Sequence, residues 1–203
     1  TSFDSYSVKG ENGASILMKG APDLHNFSTS IIVPDQSKMS VNIISYKYHD
    51  YENINIIPSK GNLSRNINPD DIPLVYGDIY NQNQFYPSAI SELGDPYILR
   101  DLRGQTISIN PFQYNPVTKL LRVYSEVVVE VVSNGESINN AIQRVDDSIK
   151  LSSNYDEIYK AHFINYNNDT RFNYLVDQGN MLIISNDAFT SYMEPFVNWK
   201  NKK

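Results

Sequence analysis

The chain contains no cysteine, which excludes a thiol nucleophile, a disulfide framework and cysteine-ligated zinc within it. Basic charge is also scarce: 17 Lys and Arg stand against 23 Asp and Glu, a formal net charge of −6. Such a balance lacks the electropositive footprint of a nucleic-acid binder, so no nucleic-acid partner is expected. No apolar run approaches the roughly 20 residues of a membrane-spanning helix, and no membrane insertion is expected. Glycine-rich phosphate loops and serines in a nucleophile-elbow context are absent. The three histidines, His25, His49 and His162, lack metal-ligand spacing, so no metal and no other cofactor is expected. Thr1 opens without a basic region and apolar core, and any export signal is expected to be already missing.

What the sequence has is strand material and tyrosine, 15 copies in 203 residues, which suits half-exposed sheet faces. Residues 106–110 and 120–132 read as two strands of a hairpin that turns where Asn115 and Pro116 stand. The β-branched run Val127-Val128-Val129-Glu130-Val131-Val132 reads as a largely buried strand. Shorter strands are expected over 14–18, 28–33, 39–48, 54–57 and 97–102. Residues 58–73 differ in texture: three prolines, three asparagines and Gly61 predict a long loop with few internal constraints. Loops of that length inside a compact domain are often functional. Its acidic pair, Asp70-Asp71, reads as a turn or cap feature, since neighbouring carboxylates make no acid–base dyad alone.

A helix is predicted from Ser153, with Tyr155, Ile158, Tyr159, His162 and Phe163 on its apolar face. Residues 165–171 then read as a polar linker. Met181-Leu182-Ile183-Ile184 suggests a parallel strand buried on both faces. A helix follows it, with Ser191 and Glu194 as a capping box and Pro195 near its first turn. The expected fold class is mainly β: an antiparallel, sandwich-like domain with a short C-terminal helix, then the truncated β-α start of an α/β domain.

Several segments resemble the propeptide of the gingipain family, secreted cysteine endopeptidases of Bacteroidetes. They are IIPSKGNLSRNINPDDIPLVYG at 56–77, DPYILRDLRGQ at 95–105 and INPFQYNPVTKLLRVYSEVVVEV at 109–131. DEIYKAHFINY at 156–166 resembles the end of that propeptide, and MLIISNDAF with FVNWKNK, from 181 to 202, the opening of the protease domain. The resemblance is nearest to the arginine-specific members and spans about residues 20–203; residues 1–19 match nothing placeable.

The resemblance implies an inhibitory propeptide over 1–171, with 134–171 its helix-containing connection, and a truncated protease-domain fragment over 172–203. It also implies that Arg65 anchors an inhibitory loop in the protease S1 pocket, flanked by Leu63, Ser64 and Asn66. A guanidinium is a fixed donor fork that a carboxylate clamps bidentately, which suits such a pocket. Maturation is expected after Arg171, with Phe172 opening the next domain. Lys60 is the rival anchor if the parent enzyme prefers lysine. The catalytic Cys and His would lie beyond Lys203, so the chain is expected to be no enzyme. Its expected partner is the cognate cysteine-protease catalytic domain, and its expected location is extracellular or cell-surface, reached through the periplasm. The alternative reading is an adhesion or carbohydrate-binding β-sandwich whose tyrosines stack on sugars.

Overall fold

The computed structural model describes residues 6–144, 149–166, 172–175 and 181–202. Among the described residues, nine strands precede the first α-helix: β1 (Ala14–Ser15), β2 (His25–Ile32), β3 (Ser37–Tyr51), β4 (Ser91–Leu93), β5 (Tyr97–Leu99), β6 (Leu102–Ile109), β7 (Phe112–Asn115), β8 (Leu120–Glu136) and β9 (Ile149–Ser152). Then come α1 (Asp156–His162), β10 (Phe172–Leu175) and α2 (Thr190–Lys200). A five-stranded antiparallel sheet runs β1-β2-β6-β4, with β5 also pairing β6. A second antiparallel sheet runs β3-β8-β7. β9 and β10 form a two-stranded parallel pair. The mainly β, antiparallel architecture expected from the sequence is the one observed, with two short helices.

Alternation along β6 sorts the layers, because successive side chains on a strand point to opposite faces. Ile107 faces the second sheet, joining Ile31, Val33, Met39, Leu93 and Val131 in one core. Leu102 faces the other way, onto Tyr159, Phe163, Leu151 and Tyr166. Gly104 shares that second face because nothing larger fits: a Cβ there would meet Phe163 at 2.6 Å and Tyr97 at 2.7 Å. A third core gathers Leu24, Ile56, Tyr114 and Leu121.

The structure changes the predicted hairpin. Its first arm is β7, not 106–110, of which 106–109 belong to β6 and pair with β2 in the other sheet. The switch happens at Asn110-Pro111. Asn110 leaves the ladder to bond Ile90 O through its N–H (2.7 Å) and Ala89 O through its side chain (2.9 Å). Pro111 has no N–H to continue the ladder. The turn itself stands as expected, since Asn115 Oδ1 accepts from Val117 N and Thr118 N at 3.1 and 3.3 Å.

The valine run is less buried than predicted. β8 pairs with the 15-residue β3 as a long ribbon, and Val128 and Glu130 point to solvent. Three register shifts along the ribbon re-aim its side chains. Residues 54–57 form no strand; they are held by an isolated bridge from Ile56 to Tyr6.

α1 begins after a 3-10 turn at Ser153–Tyr155, and Tyr155 rather than Ser153 is its cap residue. Tyr159 and Phe163 are buried, whereas Ile158 is exposed, so the apolar face is narrower than predicted. Tyr159 OH donates to Asp101 Oδ2 at 2.7 Å, and Asn165 bonds both Ile32 N (2.7 Å) and Ile32 O (2.9 Å). Residues 163–165 thereby cover the open edge of β2.

Residues 181–184 form no strand: Leu182 and Ile184 are 82% and 87% exposed. An apolar run becomes a buried strand only where a sheet receives it, and no described strand pairs with this one. The helix that follows has Phe189 as its cap residue, with no side-chain cap bond and no Ser191–Glu194 box; Asn186, accepting from Ala188 N at 3.0 Å, caps the 3-10 turn Asp187–Phe189 before it. Pro195 sits inside α2, beyond its first turn.

Candidate functional site

The long loop at 58–73 leaves the third core on a rigid foot. Tyr80 and Tyr114 donate their hydroxyls to Ile56 O and Ile54 O, each at 2.8 Å, beneath the loop's first residues. Burial pushes both phenols above the ordinary tyrosine range; at Tyr80 the neighbouring Tyr76 ring adds to it. Tyr76 and Tyr80 pack edge to face at 4.7 Å, so the returning limb of the loop seats on the same foot.

Both limbs converge on one residue. Gly20 N donates to Ser59 O and Gly20 O accepts from Gly77 N, each at 2.9 Å. Gly20 has φ +81°, and a Cβ on it would meet Gly77 backbone at 3.2 Å. Ser59, buried, also takes Gly61 N on its hydroxyl at 3.2 Å and donates its own N–H to Ala21 O at 2.7 Å.

Above this clasp the loop is braced, contrary to the expectation of few internal constraints. Lys60 Nζ donates to Pro69 O at 2.7 Å, tying the ascending limb to the descending one. Asn68 Oδ1 accepts from Asp70 N at 3.2 Å and caps a 3-10 turn at Pro69–Asp71. Asp70 and Asp71 occupy that first turn, where their charge complements the free N–H groups. At the tip, Ile67 N donates to Ser64 O at 3.0 Å, which places Arg65 and Asn66 at the two central positions of a turn.

Arg65, Ser64 and Asn66 are exposed and Leu63 is half-buried. The Arg65 guanidinium makes no hydrogen bond or ion pair with any described residue. The candidate anchor and its flanks are thus one braced, outward-facing turn. Lys60 is not at the tip; its ammonium belongs to the bracing. Arg171 lies outside the described residues, while Phe172 opens β10, in register with Ile149 of β9.

The histidines stand apart from this site. His25 receives Gly10 N on Nδ1 and contacts Ser15 Oγ, and His162 Nε2 contacts Tyr97 OH at 2.7 Å. No group of three potential metal ligands occurs among the described residues. Sequence reasoning did not find the Gly20–Gly77 clasp or the tyrosine foot. The four-residue spacing of Tyr76 and Tyr80 was the one legible signal for either.

A family profile described as Propeptide_C25 matches residues 3–164. Gingipain R2 of Porphyromonas gingivalis W83 is 42% identical over 94% of the chain, and Lys-gingipain of the same species is 25% identical over 97%. The chain spans 26% of the length of the first and 12% of the second. Among solved structures, a complex of Porphyromonas gingivalis RgpB pro- and mature domains matches with a TM-score of 0.70 at 43% identity. That match covers 77% of this chain and 78% of the other. A structure described as giving insight into the zymogenic latency of gingipain K has a TM-score of 0.52 at 22% identity, covering 61% and 71%. It supports the fold alone.

Proposed function

This chain belongs to the Propeptide_C25 family, the propeptides of gingipain precursors, and from that premise we propose that it silences its protease by presenting Arg65 to the S1 pocket. As a propeptide it is an inhibitory module of zymogen latency and not itself catalytic. The partner is the catalytic domain of its own precursor, an arginine-selective cysteine endopeptidase. The supporting observation is an arginine at the exposed tip of a turn, unpaired, on a loop clasped at its base and cross-braced by Lys60.

The bracing explains how a substrate-like arginine inhibits. A loop already ordered before binding loses little conformational entropy on entering a cleft, so it binds tightly. The guanidinium supplies charge and two-pronged geometry to a pocket carboxylate. Leu63, Ser64 and Asn66 flank the anchor as the neighbouring cleft contacts.

Under this reading, residues 1–171 form the propeptide, with 134–171 as its connection, and 172–203 open the catalytic domain. Cleavage after Arg171 separates the two, leaving Phe172 at the new N-terminus. The precursor is an exported protein that acts outside the cell or at its surface.

The adhesion or carbohydrate-binding reading is not favoured. The ribbon tyrosines are engaged with one another: Tyr46 and Tyr48 meet Tyr124 at 5.5 and 5.8 Å, and Arg122 covers Tyr48 at 4.0 Å. Rings tilted against one another make no flat platform for a sugar.

The test is inhibition in trans. The purified chain should cleave no arginyl peptide substrate yet inhibit the separately produced catalytic domain. Cysteine-protease turnover by the chain, or no inhibition by it when folded, would refute the proposal.

A further inference from the structure

We propose that the domain masks its own arginines from an arginine-selective protease, each guanidinium among the described residues except that of Arg65 being held by an internal partner. This rests on the arginine selectivity proposed above. It concerns how the propeptide survives beside such an enzyme, a separate matter from how it blocks it.

The chain has six arginines, and five lie among the described residues. Arg103 is 1% exposed and spends its fork on four backbone carbonyls: Pro34 and Ser37 at 2.8 Å, Asn139 and Asn140 at 3.0 Å. Arg122 is clamped bidentately by Asp50, both contacts at 2.8 Å, and lies over the rings of Tyr48 and Phe85. Arg100 lies over the Tyr155 ring at 4.4 Å, with Asp101 3.6 Å from its Nε. Arg144 meets both oxygens of Asp35, at 2.5 and 3.2 Å, and donates to Asp101 O at 2.6 Å. Arg65 alone among the five has no such partner.

For Arg103 and Arg122 the ladders of β6 and β8 already withhold the backbone. Arg144 is the informative case, because it stands on irregular chain outside any strand. A protease that reads the residue before the scissile bond must draw that side chain off the surface. Removing Arg144 breaks three charge-assisted hydrogen bonds at once. The clamp is part of a wider strap: Ser137 N donates to Gln36 O, Ile142 N to Asp35 O, and Arg103 binds carbonyls on both sides. A cut after Arg144 would sever β9 and α1, and with them Leu151, Tyr159 and Phe163, from the sheet they cover. When opening and closing are fast, cleavage follows the population of the open form, so a stronger clamp means a proportionally slower cut.

The full chain, incubated with a trace of a heterologous arginine-specific endopeptidase, tests this by timed mass spectrometry of the products. Cleavage after Arg65 should precede cleavage after Arg100, Arg103, Arg122 and Arg144 by about tenfold or more in rate. Asp35→Ala should raise the cut after Arg144 about tenfold and leave those after Arg103 and Arg122 unchanged, with Asp35→Asn between. A wild-type cut after Arg144 as fast as that after Arg65 overturns masking, whatever the variants do. An unchanged Arg144 cut in Asp35→Ala, or a rise at all arginines together, overturns the clamp in favour of fold stability alone. None of these readings depends on inhibition of the parent enzyme, so failure of the Arg65 anchor would show separately.

Discussion

Gly77 donates its N–H to the carbonyl of Gly20 at 2.9 Å, closing the foot of the Arg65 loop on a residue that also holds Ser59. The left-handed φ of Gly20, +81°, and the 2.9 Å between Gly20 O and the position of a Cβ on Gly77 leave no room for a side chain on either. Gly20→Ala should therefore cost about 1–3 kcal/mol in denaturant unfolding. It should weaken inhibition by splaying the loop limbs. A variant with unchanged midpoint and unchanged inhibition would show that the clasp is dispensable.

Arg65→Ala should weaken inhibition of the catalytic domain by roughly 30-fold or more, because an unpaired pocket carboxylate typically costs about 2–5 kcal/mol. Arg65→Lys should fall between Ala and wild type, since an ammonium cannot copy the two-pronged contact. Folding should be unaffected, the side chain being exposed. Lys47→Ala, on the far ribbon where Lys47 pairs with Glu126 at 2.8 Å, is the control. Arg100 is unsuited to that role because it packs on Tyr155. An inhibition constant for Arg65→Ala within about twofold of wild type removes Arg65 from the mechanism.

Lys60→Met separates bracing from anchoring. Losing the bond to Pro69 O should loosen the loop and weaken inhibition by only about three- to tenfold, the worth of one hydrogen bond from a charged donor at an exposed site. A loss equal to that of Arg65→Ala would instead make Lys60 the pocket residue.

Maturation of the precursor should release an enzyme whose N-terminal residue is Phe172. Edman or mass-spectrometric sequencing decides it. A terminus near Lys150 or Lys160 would reject Arg171 as the junction.

The Asp50–Arg122 pair predicts an acid sensitivity. The Arg122 hydrogen bond, with its charge, holds the Asp50 carboxyl below the ordinary value of 3.8, against the opposing effect of burial. A carboxyl depressed in the folded state adds stability that is complete above its unfolded pKa, about 3.9, and is lost as pH falls through its folded value. Asp50→Asn should thus lower stability at neutral pH and flatten the decline below about pH 4. Parallel acid unfolding curves for the two proteins would contradict this.

The residues alone carried the β-rich class, the turn at Asn115-Pro116, the α1 helix and the loop at 58–73. Each rests on local chemistry: β-branching, ring-locked φ, an i, i+4 aromatic pattern and a cluster of turn formers. Arg65 was reached through the family resemblance, because an exposed loop arginine carries no signal of its own. Tertiary structure alone decided which strands share a sheet. Residues 106–110 read as one arm of a hairpin, but the bonds from Asn110 to Ala89 and Ile90 send β6 to one layer and β7 to the other. Likewise, Lys60, Gly20 and Gly77 are ordinary loop residues until the fold brings the loop's limbs together. Asp35 and Arg144, 109 positions apart, become a clamp only once the sheets are stacked. Propensity acts over a few residues, whereas a clasp or a clamp is made by partners that the chain must fold to bring within 3 Å.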